Sequence, residues 1–352
     1  MTIKNVEHHK KKVVVVTGAG GQVGTLLFRQ LLEDDDDEDE DFSRGRLVVG
    51  IVHTQTSKDT LRESCSDLNL IDVDDPRECD DDESKSVGVV VVCDITKKES
   101  LQSGLLVICN WNNVDTLCIC TSATAKPTFH GRSVFEFVTQ PEIIDWIGQK
   151  HQIDIMSHAA QESTAAAAAA TSSNNCKHVV VCSTMGGTDP MNQLNNLGRT
   201  TDPTTGEDRG GNIVMWKRKS EMYLIEQCTK HNNNENDDSI SKLYYTIIHP
   251  GGLMNEPGQQ RELIVGINDD RMTYGGQGSP RTVPRADVAK VMAEACRGNI
   301  EDSCYKNRSF DLWASNIIDT TTSTTTTVTI DYTTLLDPLE GKNCDYSLGR
   351  TM

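Results

Sequence analysis

Short apolar runs alternate along the chain with longer segments whose apolar residues recur at helical spacing. The runs are nearly continuous, which is typical of strands covered on both faces of a sheet. Strand, helix and strand in this rhythm predict an α/β fold, a Rossmann-like doubly wound parallel sheet. The predicted strands are Val13–Thr17, Leu47–Val52, Val87–Cys93, Val114–Cys120, His178–Ser183 and Leu243–Ile248, and the predicted helices are Val23–Leu32, Pro141–Ala160 and Asn212–Lys230.

Polar and low-complexity stretches interrupt this rhythm, and we interpret them as insertions in one domain. The domain is predicted to cover residues 13–352 and to end in a small portion that covers the substrate. Residues 1–12 are predicted to form a flexible tail. The insertions fall at about 33–45, 74–86, 164–176 and 319–328. The first contains the acidic run Glu33–Asp41, which is typical of a solvated loop.

Charge and hydropathy exclude several classes of partner. The formal charge of the 352 residues is −18, which disfavours nucleic acid and anionic membranes because phosphate binding requires a basic surface. Apolar runs never approach the roughly 18 residues of a membrane span. The lysine-rich start of the chain does not resemble a secretory signal. We therefore expect a cytoplasmic protein that binds a small molecule, and the sequence leaves open whether it is a monomer or a homodimer.

The cysteines and histidines do not predict a metal site. There are twelve cysteines but no CxxC pair, and the histidines are dispersed. Cys118 and Cys120 lie in a predicted strand, where alternation places both on the same face. Buried, reduced thiols are the expected state in an intracellular protein.

The glycine-rich segment between the first strand and the first helix predicts a dinucleotide site. Gly18, Gly21 and Gly24 supply the tight turn, the bare backbone and the close helix–strand contact that a pyrophosphate site requires. Gly20 adds conformational freedom, and Gln22 and Val23 open the helix whose N–H groups would meet the phosphates. The register G-x-G-x-x-G fails because Val23 holds its third glycine position.

The end of the second strand bears on the choice between NAD and NADP. An acidic residue there would bind the ribose hydroxyls of NAD, but this strand ends at His53 and is followed by Lys58 and Arg62. Cationic or hydrogen-bonding groups suit a 2′-phosphate, so NADP is favoured over NAD. The alternative interpretation is that Lys58 and Arg62 are merely exposed loop charges.

Later segments resemble a known superfamily. VVVCSTMGG at 179–187, GGNIVMWKRKSEMYL at 210–224, YTIIHPGGLM at 245–254 and TVPRADVAKVM at 282–292 follow TGAGGQVG in this order. Together they resemble the atypical short-chain dehydrogenase/reductase superfamily, and most closely its small plant-type NAD(P)-binding proteins, which are related to NmrA-like regulators. The resemblance runs from about Val13 to Leu312, apart from the insertions.

The resemblance implies roles for residues at the ends of the later strands. Ser183 would lie beside the nicotinamide, and Lys219 would hydrogen-bond to the nicotinamide ribose, which makes these two the candidate catalytic residues. Asp287 belongs to a late structural motif and would cap or anchor a helix. Further cofactor contacts are implied for Asp94, Ile95, Thr121, Ser122, Ala123, Pro250, Gly251 and Gly252.

One departure from the family pattern bears on catalysis. Typical members carry a tyrosine four residues before the active-site lysine, where the lysine's charge lowers the phenol's pKa and permits proton transfer. Here Met215 stands four residues before Lys219, and Tyr223 lies one turn beyond it. The expected function is an NADPH-dependent oxidoreductase acting on a small carbonyl or conjugated acceptor. The alternative is a non-catalytic redox sensor that binds NADP(H).

A few other residues admit two interpretations. His249 either points into the cofactor site or packs at a strand end, and Gln149 and Gln152 could face the cofactor. Substrate is expected near Leu253–Tyr274, in the crevice beyond the carboxyl ends of the strands.

Overall fold

The computed structural model describes residues 11–33, 45–72, 85–129, 133–137, 139–167, 176–201, 204–206, 208–233, 242–269, 281–315 and 328–348. The predicted insertions at about 33–45, 74–86, 164–176 and 319–328, and most of the predicted tail, lie largely outside these residues. One boundary is corrected: Lys12 is not in a tail. It begins the first strand, and its ammonium donates to the carbonyls of Cys296 (2.7 Å) and Gly298 (3.0 Å).

Helices and strands alternate through most of the described chain. The strands are β1 Lys12–Thr17, β2 Arg46–Val52, β3 Leu70–Ile71, β4 Val87–Val92, β5 Thr116–Ile119, β6 Ala125–Phe129, β7 Ser133–Phe137, β8 Lys177–Cys182, β9 Thr200–Thr201, β10 Asp208–Arg209, β11 Leu243–Pro250, β12 Gly252–Met254, β13 Leu263–Gly266, β14 Thr282–Pro284 and β15 Arg308–Ala314. The helices are α1 Gln22–Glu33, α2 Gln55–Ser64, α3 Lys98–Leu106, α4 Gln149–Ala167, α5 Ile213–Asn232 and α6 Arg285–Ala295, and a π-helical segment at Glu142–Gly148 leads into α4.

Nine strands of the described residues form the central sheet, in the order β13, β15, β11, β8, β5, β1, β2, β4, β3. All neighbouring pairs are parallel except β13 on β15, which is antiparallel. Because β1 pairs with β2 on one side and with β5 on the other, the chain winds outward in both directions from β1. The predicted Rossmann-like doubly wound fold is confirmed, with an antiparallel edge strand as an addition.

Helices cover both faces of the sheet, and β1 shows why its apolar run is continuous. Val14 and Val16 pack with α1 and α6 on one face, whereas Val13 and Val15 pack with α3, α4 and α5 on the other. All four side chains are buried. A strand sandwiched in this way requires apolar residues at every position, and not only at alternate ones.

Two helices of the sheet's crossover connections were not predicted from sequence. In α2 only Leu61 is buried, and in α3 only Leu101 and Leu105 are. An amphipathic pattern needs several apolar residues at helical spacing to be visible, and these helices have too few.

Candidate functional site

The turn between β1 and α1 lies at the switch point of the sheet, against the end of β5. Gly18 has a φ of 69°, in the left-handed region that favours glycine. A Cβ at Gly18 would lie 2.9 Å from backbone atoms of Cys120 and Thr121. Such contacts are too short for any side chain, so only glycine lets the turn approach β5 this closely.

The remaining glycines of the turn shape the start of α1. The N–H of Gly21 donates to the carbonyl of Gly18 (2.8 Å) and closes the turn. A Cβ at Gly24 would overlap that same carbonyl oxygen, and one at Gly20 would lie 3.2 Å from Cβ of Ser57. The first helical N–H bond is that of Thr25 to Gly21 (2.8 Å).

The start of α1 therefore has the geometry of an anion site. The N–H groups of Gln22, Val23 and Gly24 precede the first intrahelical bond, as the opening amides of a helix do. They lie at the positive end of the helix dipole, beside a turn that has no side chain to obstruct a phosphate. A diphosphate fits this turn, and the predicted cofactor contacts of its residues remain predictions.

The predicted discriminator of NADP from NAD lies at the start of α2. His53 is exposed and follows the end of β2, which ends at Val52 rather than at His53. Lys58 lies in the first turn of α2 and is half-buried. Arg62 forms an ion pair with Asp72 at 3.4 Å. Both cations lie on α2 and not in a loop, which corrects their placement, while a contact of either with a 2′-phosphate stays a prediction. Of the two, Lys58 lies closer to the end of β2 in the chain.

A buried ion pair lies beneath the end of β5. The ammonium of Lys217 is 2.8 Å from Oδ1 of Asp145, and both side chains are almost fully buried. Oδ2 of Asp145 accepts the N–H of Ala123 at 3.0 Å. Although burial alone would lower the pKa of Lys217, the charge of Asp145 raises it above its ordinary value. A buried ion pair is thus fixed behind the segment Thr121–Ala123, in which the charge of Lys217 is balanced by that of Asp145.

Two glutamines brace the same segment. The amide of Gln149 donates to the carbonyl of Thr121 (3.3 Å), and its oxygen accepts from Ser220 (2.7 Å). Gln152 accepts from the hydroxyl of Thr17 (2.6 Å) and donates to the hydroxyl of Thr121 (3.4 Å). Both side chains are buried, so they position the ends of β1 and β5 and have no amide group left facing outward.

Lys219, the lysine that the sequence predicts to bind the ribose, has surroundings different from those of Lys217. The ammonium of Lys219 lies 4.6 Å from the ring centroid of Trp146 and 5.0 Å from that of Trp216, and the residue is half-buried. Residues two apart on a helix face opposite sides, so Lys217 and Lys219 cannot both point at the sheet. The contacts favour Lys217 as the lysine of the site, and the ribose contact of Lys219 stays an unsupported prediction.

The tyrosine that the family pattern requires is absent whichever lysine is taken as the lysine of the site. Ile213 stands four residues before Lys217, as Met215 does before Lys219, and neither side chain can donate a proton. The hydroxyl of Tyr223 donates to Asp154 between α4 and α5, and its ring packs edge-on against Trp146. Tyr223 is therefore already engaged in a helix–helix contact.

A buried polar network begins at Ser183, directly after β8. The hydroxyl of Ser183 donates to Oε1 of Glu221 on α5, and Oε2 of Glu221 lies 3.1 Å from Nε2 of His249. Arg218 approaches the same carboxylate at 3.9 Å. Although burial alone would raise the pKa of Glu221, the charges of His249 and Arg218 lower it to about 2.

His249 lies at the centre of this network and not at a simple packing position. Its Nδ1 is 3.4 Å from Oδ1 of Asp311, and its Nε2 is 3.5 Å from the hydroxyl of Tyr346. Burial alone would lower the pKa of His249, but Glu221, Tyr346 and the other acidic neighbours raise it well above the ordinary value. Sequence reasoning missed Glu221, Asp311 and Tyr346 because they come from distant elements.

The other predicted residues lie at strand ends on the same edge of the sheet. Asp94 accepts from both the N–H (3.0 Å) and the hydroxyl (2.6 Å) of Thr96, and Ile95 is buried in the core. Ser122 is exposed, and Pro250 ends β11. The N–H of Gly251 donates to Leu312 (2.9 Å), and that of Gly252 to Arg281 (2.7 Å). Their cofactor contacts stay predictions.

Asp287 has a structural role, although it is not a helix cap. It lies in the first turn of α6, fully buried, and Oδ1 accepts the N–H of Gln259 at 2.7 Å. Gln259 has a φ of 59°, so Asp287 holds a left-handed residue of the loop after β12. The predicted anchoring is observed, but what is anchored is a loop and not the helix.

Comparison with known proteins decides the family. Residues 73–298, more than half of the chain, match a family model described as NAD(P)H-binding. The chain belongs to this NAD(P)H-binding family. The predicted membership among atypical short-chain dehydrogenase/reductase-like proteins is thereby confirmed, and a Rossmann-like NAD(P)H-binding fold accounts for the glycine turn at the switch point.

Two curated relatives are plant proteins. An uncharacterised chloroplastic protein of Arabidopsis thaliana is 34% identical over 201 residues, which cover 55% of this chain and 48% of the relative. Sanguinarine reductase of Eschscholzia californica is 37% identical over 172 residues, 49% of this chain and 45% of the relative. The chain thus spans about half the length of the curated relatives it matches.

Solved structures are similar to the chain only at low identity. A short-chain dehydrogenase/reductase of Veillonella parvula in complex with NADP is 13% identical, with a TM-score of 0.43 over 87% of this chain and 96% of that one. Yeast methylglyoxal/isovaleraldehyde reductase with NADPH is 15% identical, with a TM-score of 0.43 over 81% and 72%. These scores support no inference about individual residues.

Among the residues that the structure describes, none of the helices combines the length and apolarity of a membrane crossing.

Proposed function

We propose that the chain is an NADPH-dependent reductase of a small carbonyl or conjugated acceptor. The observation that carries the proposal is the convergence of three features at one edge of the sheet. These are the glycine turn with its helix N-terminus, the charge of Lys217 fixed behind β5, and the hydroxyl of Ser183 after β8. A relative named sanguinarine reductase supports a reductase activity.

Different residues of the site would bind different parts of the cofactor. The amides of Gln22, Val23 and Gly24 would bind the diphosphate, and Lys58 would meet a 2′-phosphate, which favours NADPH over NADH. Lys217, held by Asp145, would place its charge near the ribose that carries the nicotinamide. When bound, the nicotinamide supplies a hydride.

The chain's own contribution to the chemistry is positional. Ser183 is the hydroxyl at the end of β8, and it would donate a hydrogen bond to the acceptor oxygen by turning from Glu221. With Ile213 and Met215 at the positions of the usual tyrosine, the final proton would come from solvent. Such a site suits acceptors whose reduced form is stabilised by conjugation better than it suits simple aldehydes and ketones.

Turnover measurements test this proposal. NADPH oxidation would be followed with quinones, flavins, bilins and aldehydes, for the wild type and for Ser183→Ala. We expect turnover with at least one class, and a loss of about 10²-fold in kcat on removal of a donor to the developing charge. Ser157→Ala is the matched control, because Ser157 is equally buried and bonds to His231 outside the site. Equal activity of the two variants would contradict the role of Ser183.

One observation favours a second function, a redox sensor that binds NADP(H) without turnover. The hydroxyl of Ser183 is buried and already donates to Glu221, so it is not directed at a substrate. A sensor would show no turnover with any acceptor and a marked difference in affinity between NADPH and NADP⁺.

A location in the cytoplasm remains our expectation, while the Arabidopsis relative is named as chloroplastic.

A further inference from the structure

Three potential metal ligands converge deep in the polar network. Nδ1 of His249 lies 3.4 Å from Oδ1 of Asp311 and 3.5 Å from Sγ of Cys344, and Sγ of Cys344 lies 3.9 Å from Oδ1 of Asp311. All three side chains are buried. We propose that His249, Asp311 and Cys344 bind a Zn²⁺ ion, at a site that the proposed cofactor binding does not require.

The three distances fit the coordination sphere of zinc. A triangle with these sides has its centre about 2.1 Å from each corner, and Zn–N, Zn–O and Zn–S bonds measure about 2.0–2.3 Å. An imidazole nitrogen, a carboxylate oxygen and a thiolate are all ligands that zinc accepts. No large rearrangement is needed for the three atoms to reach one ion.

The fold places two of the ligands before any ion binds. β11 and β15 are parallel neighbours, and His249 and Asp311 are register partners, so their side chains leave the sheet side by side on the face covered by α5. Cys344 arrives from the C-terminal segment, where its N–H donates to the hydroxyl of Ser309 (3.1 Å) on β15. Two rigid strands and one anchored loop form a preorganised site.

Neighbouring groups orient two of the three ligands. The other ring nitrogen of His249, Nε2, faces Glu221 at 3.1 Å, the arrangement in which a carboxylate orients a metal-binding histidine. Oδ2 of Asp311 accepts the N–H of Asp269 at 2.8 Å, which leaves Oδ1 for the ion. Because Glu221 also accepts from Ser183, the site is connected to the proposed reductase residue.

Charge and space also favour a cation. Two buried carboxylates, Glu221 and Asp311, face His249. Arg218 lies 3.9 Å from Glu221, and its guanidinium also donates to the carbonyl of Asp345. A cavity borders all three ligands and is also lined by Arg218 and by polar groups such as Thr184, Thr188 and Asp269. A fourth coordination position would open onto this cavity and could hold a water or a substrate oxygen, as in zinc sites with three protein ligands.

Metal analysis of the purified full chain tests the proposal. The protein would be produced in zinc-supplemented medium with a cleavable tag that does not bind metal, and zinc would be measured by mass spectrometry. We expect zinc in stoichiometric amount in the wild type and a loss of at least tenfold in zinc affinity in Cys344→Ser and in Asp311→Asn. Cys304→Ser is the control, because Cys304 is a half-buried thiol that bonds to the carbonyl of Tyr332 and is not one of the three proposed ligands.

Cobalt substitution supplies a readout that does not depend on the variants folding. Co²⁺ bound by Cys344 in the wild type should show a thiolate-to-metal charge-transfer band and the strong visible absorption of tetrahedral cobalt. The absence of both bands, together with no stoichiometric zinc, would overturn the proposal and leave a hydrogen-bonded network only. Retention of the bands in a folded Cys344→Ser variant would overturn it as well. NADPH binding, measured in parallel, reports separately on the proposed function.

Discussion

The buried pair of Lys217 and Asp145 allows a test of which lysine of α5 is held in a stabilising ion pair. Lys217→Met removes the cation and leaves Asp145 charged at a position with no exposed surface. Breaking a buried pair from one side costs about 3–5 kcal/mol, because an uncompensated charge remains. At about 2–4 °C per kcal/mol, the melting temperature should fall by roughly 10 °C.

Lys219→Met is the matched control. Lys219 lies two residues away on the same helix, half-buried over two indole rings at 4.6 and 5.0 Å. A cation–π contact at such a site is worth about 0.5–1 kcal/mol, and methionine keeps the apolar contacts of the side chain. The loss should therefore stay below about 1 kcal/mol, several times smaller than that of Lys217→Met.

Urea unfolding followed by circular dichroism measures both values, and a double variant completes the cycle. Asp145→Asn keeps an oxygen for the N–H of Ala123 and removes the charge. The double variant of Lys217→Met and Asp145→Asn should be more stable than Lys217→Met alone. The reasoning is refuted if Lys217→Met costs no more than Lys219→Met, or if the second change brings no recovery.

Two further predictions concern residues outside the reaction. Burial, followed by the charge of Lys12, lowers the pKa of His178 to about 3, so the folded state binds fewer protons than the unfolded state between that pH and about 6.5. Between pH 6.5 and pH 5 the His178 contribution to the stability of the wild type should fall by about 1.6 kcal/mol, and His178→Gln should flatten the pH dependence by this amount in urea titrations; an unchanged slope would exclude His178 as the cause. Tyr223→Phe should leave kcat unchanged in the NADPH assay, because the hydroxyl bonds to Asp154; a tenfold loss would show that Tyr223 replaces the missing family tyrosine.

Much of the fold was predictable because strong local signals agree with the tertiary structure. The continuous apolar run of β1 reflects helices on both faces, and Gly18 reflects a close backbone approach that only glycine permits. By contrast, Leu61 is the one residue of α2 that is buried, so the sequence of this helix has no apolar stripe. The helix forms where Thr54 caps it, with its hydroxyl accepting the N–H of Ser57.

The candidate site was less predictable because its contacts are long-range. Lys217 and Lys219 are indistinguishable by type and spacing once the family tyrosine is missing, and only the packing of α5 shows which of them is buried. His249, Asp311 and Cys344 are far apart in the chain, and no spacing rule joins them. The parallel register of β11 and β15, which places His249 beside Asp311, becomes visible only in the folded chain.

Calorimetric titration with NADPH and NADH shows whether the turn at Gly18 binds a pyridine dinucleotide. We expect one bound cofactor per chain, with NADPH preferred. Gly18→Ala should abolish binding, because its Cβ would lie 2.9 Å from backbone atoms at the end of β5. Gly341→Ala, at a similar φ of 80° with open space around it, should keep binding. Heat for neither coenzyme in the folded wild type, or full affinity in Gly18→Ala, would show that the turn does not bind the dinucleotide.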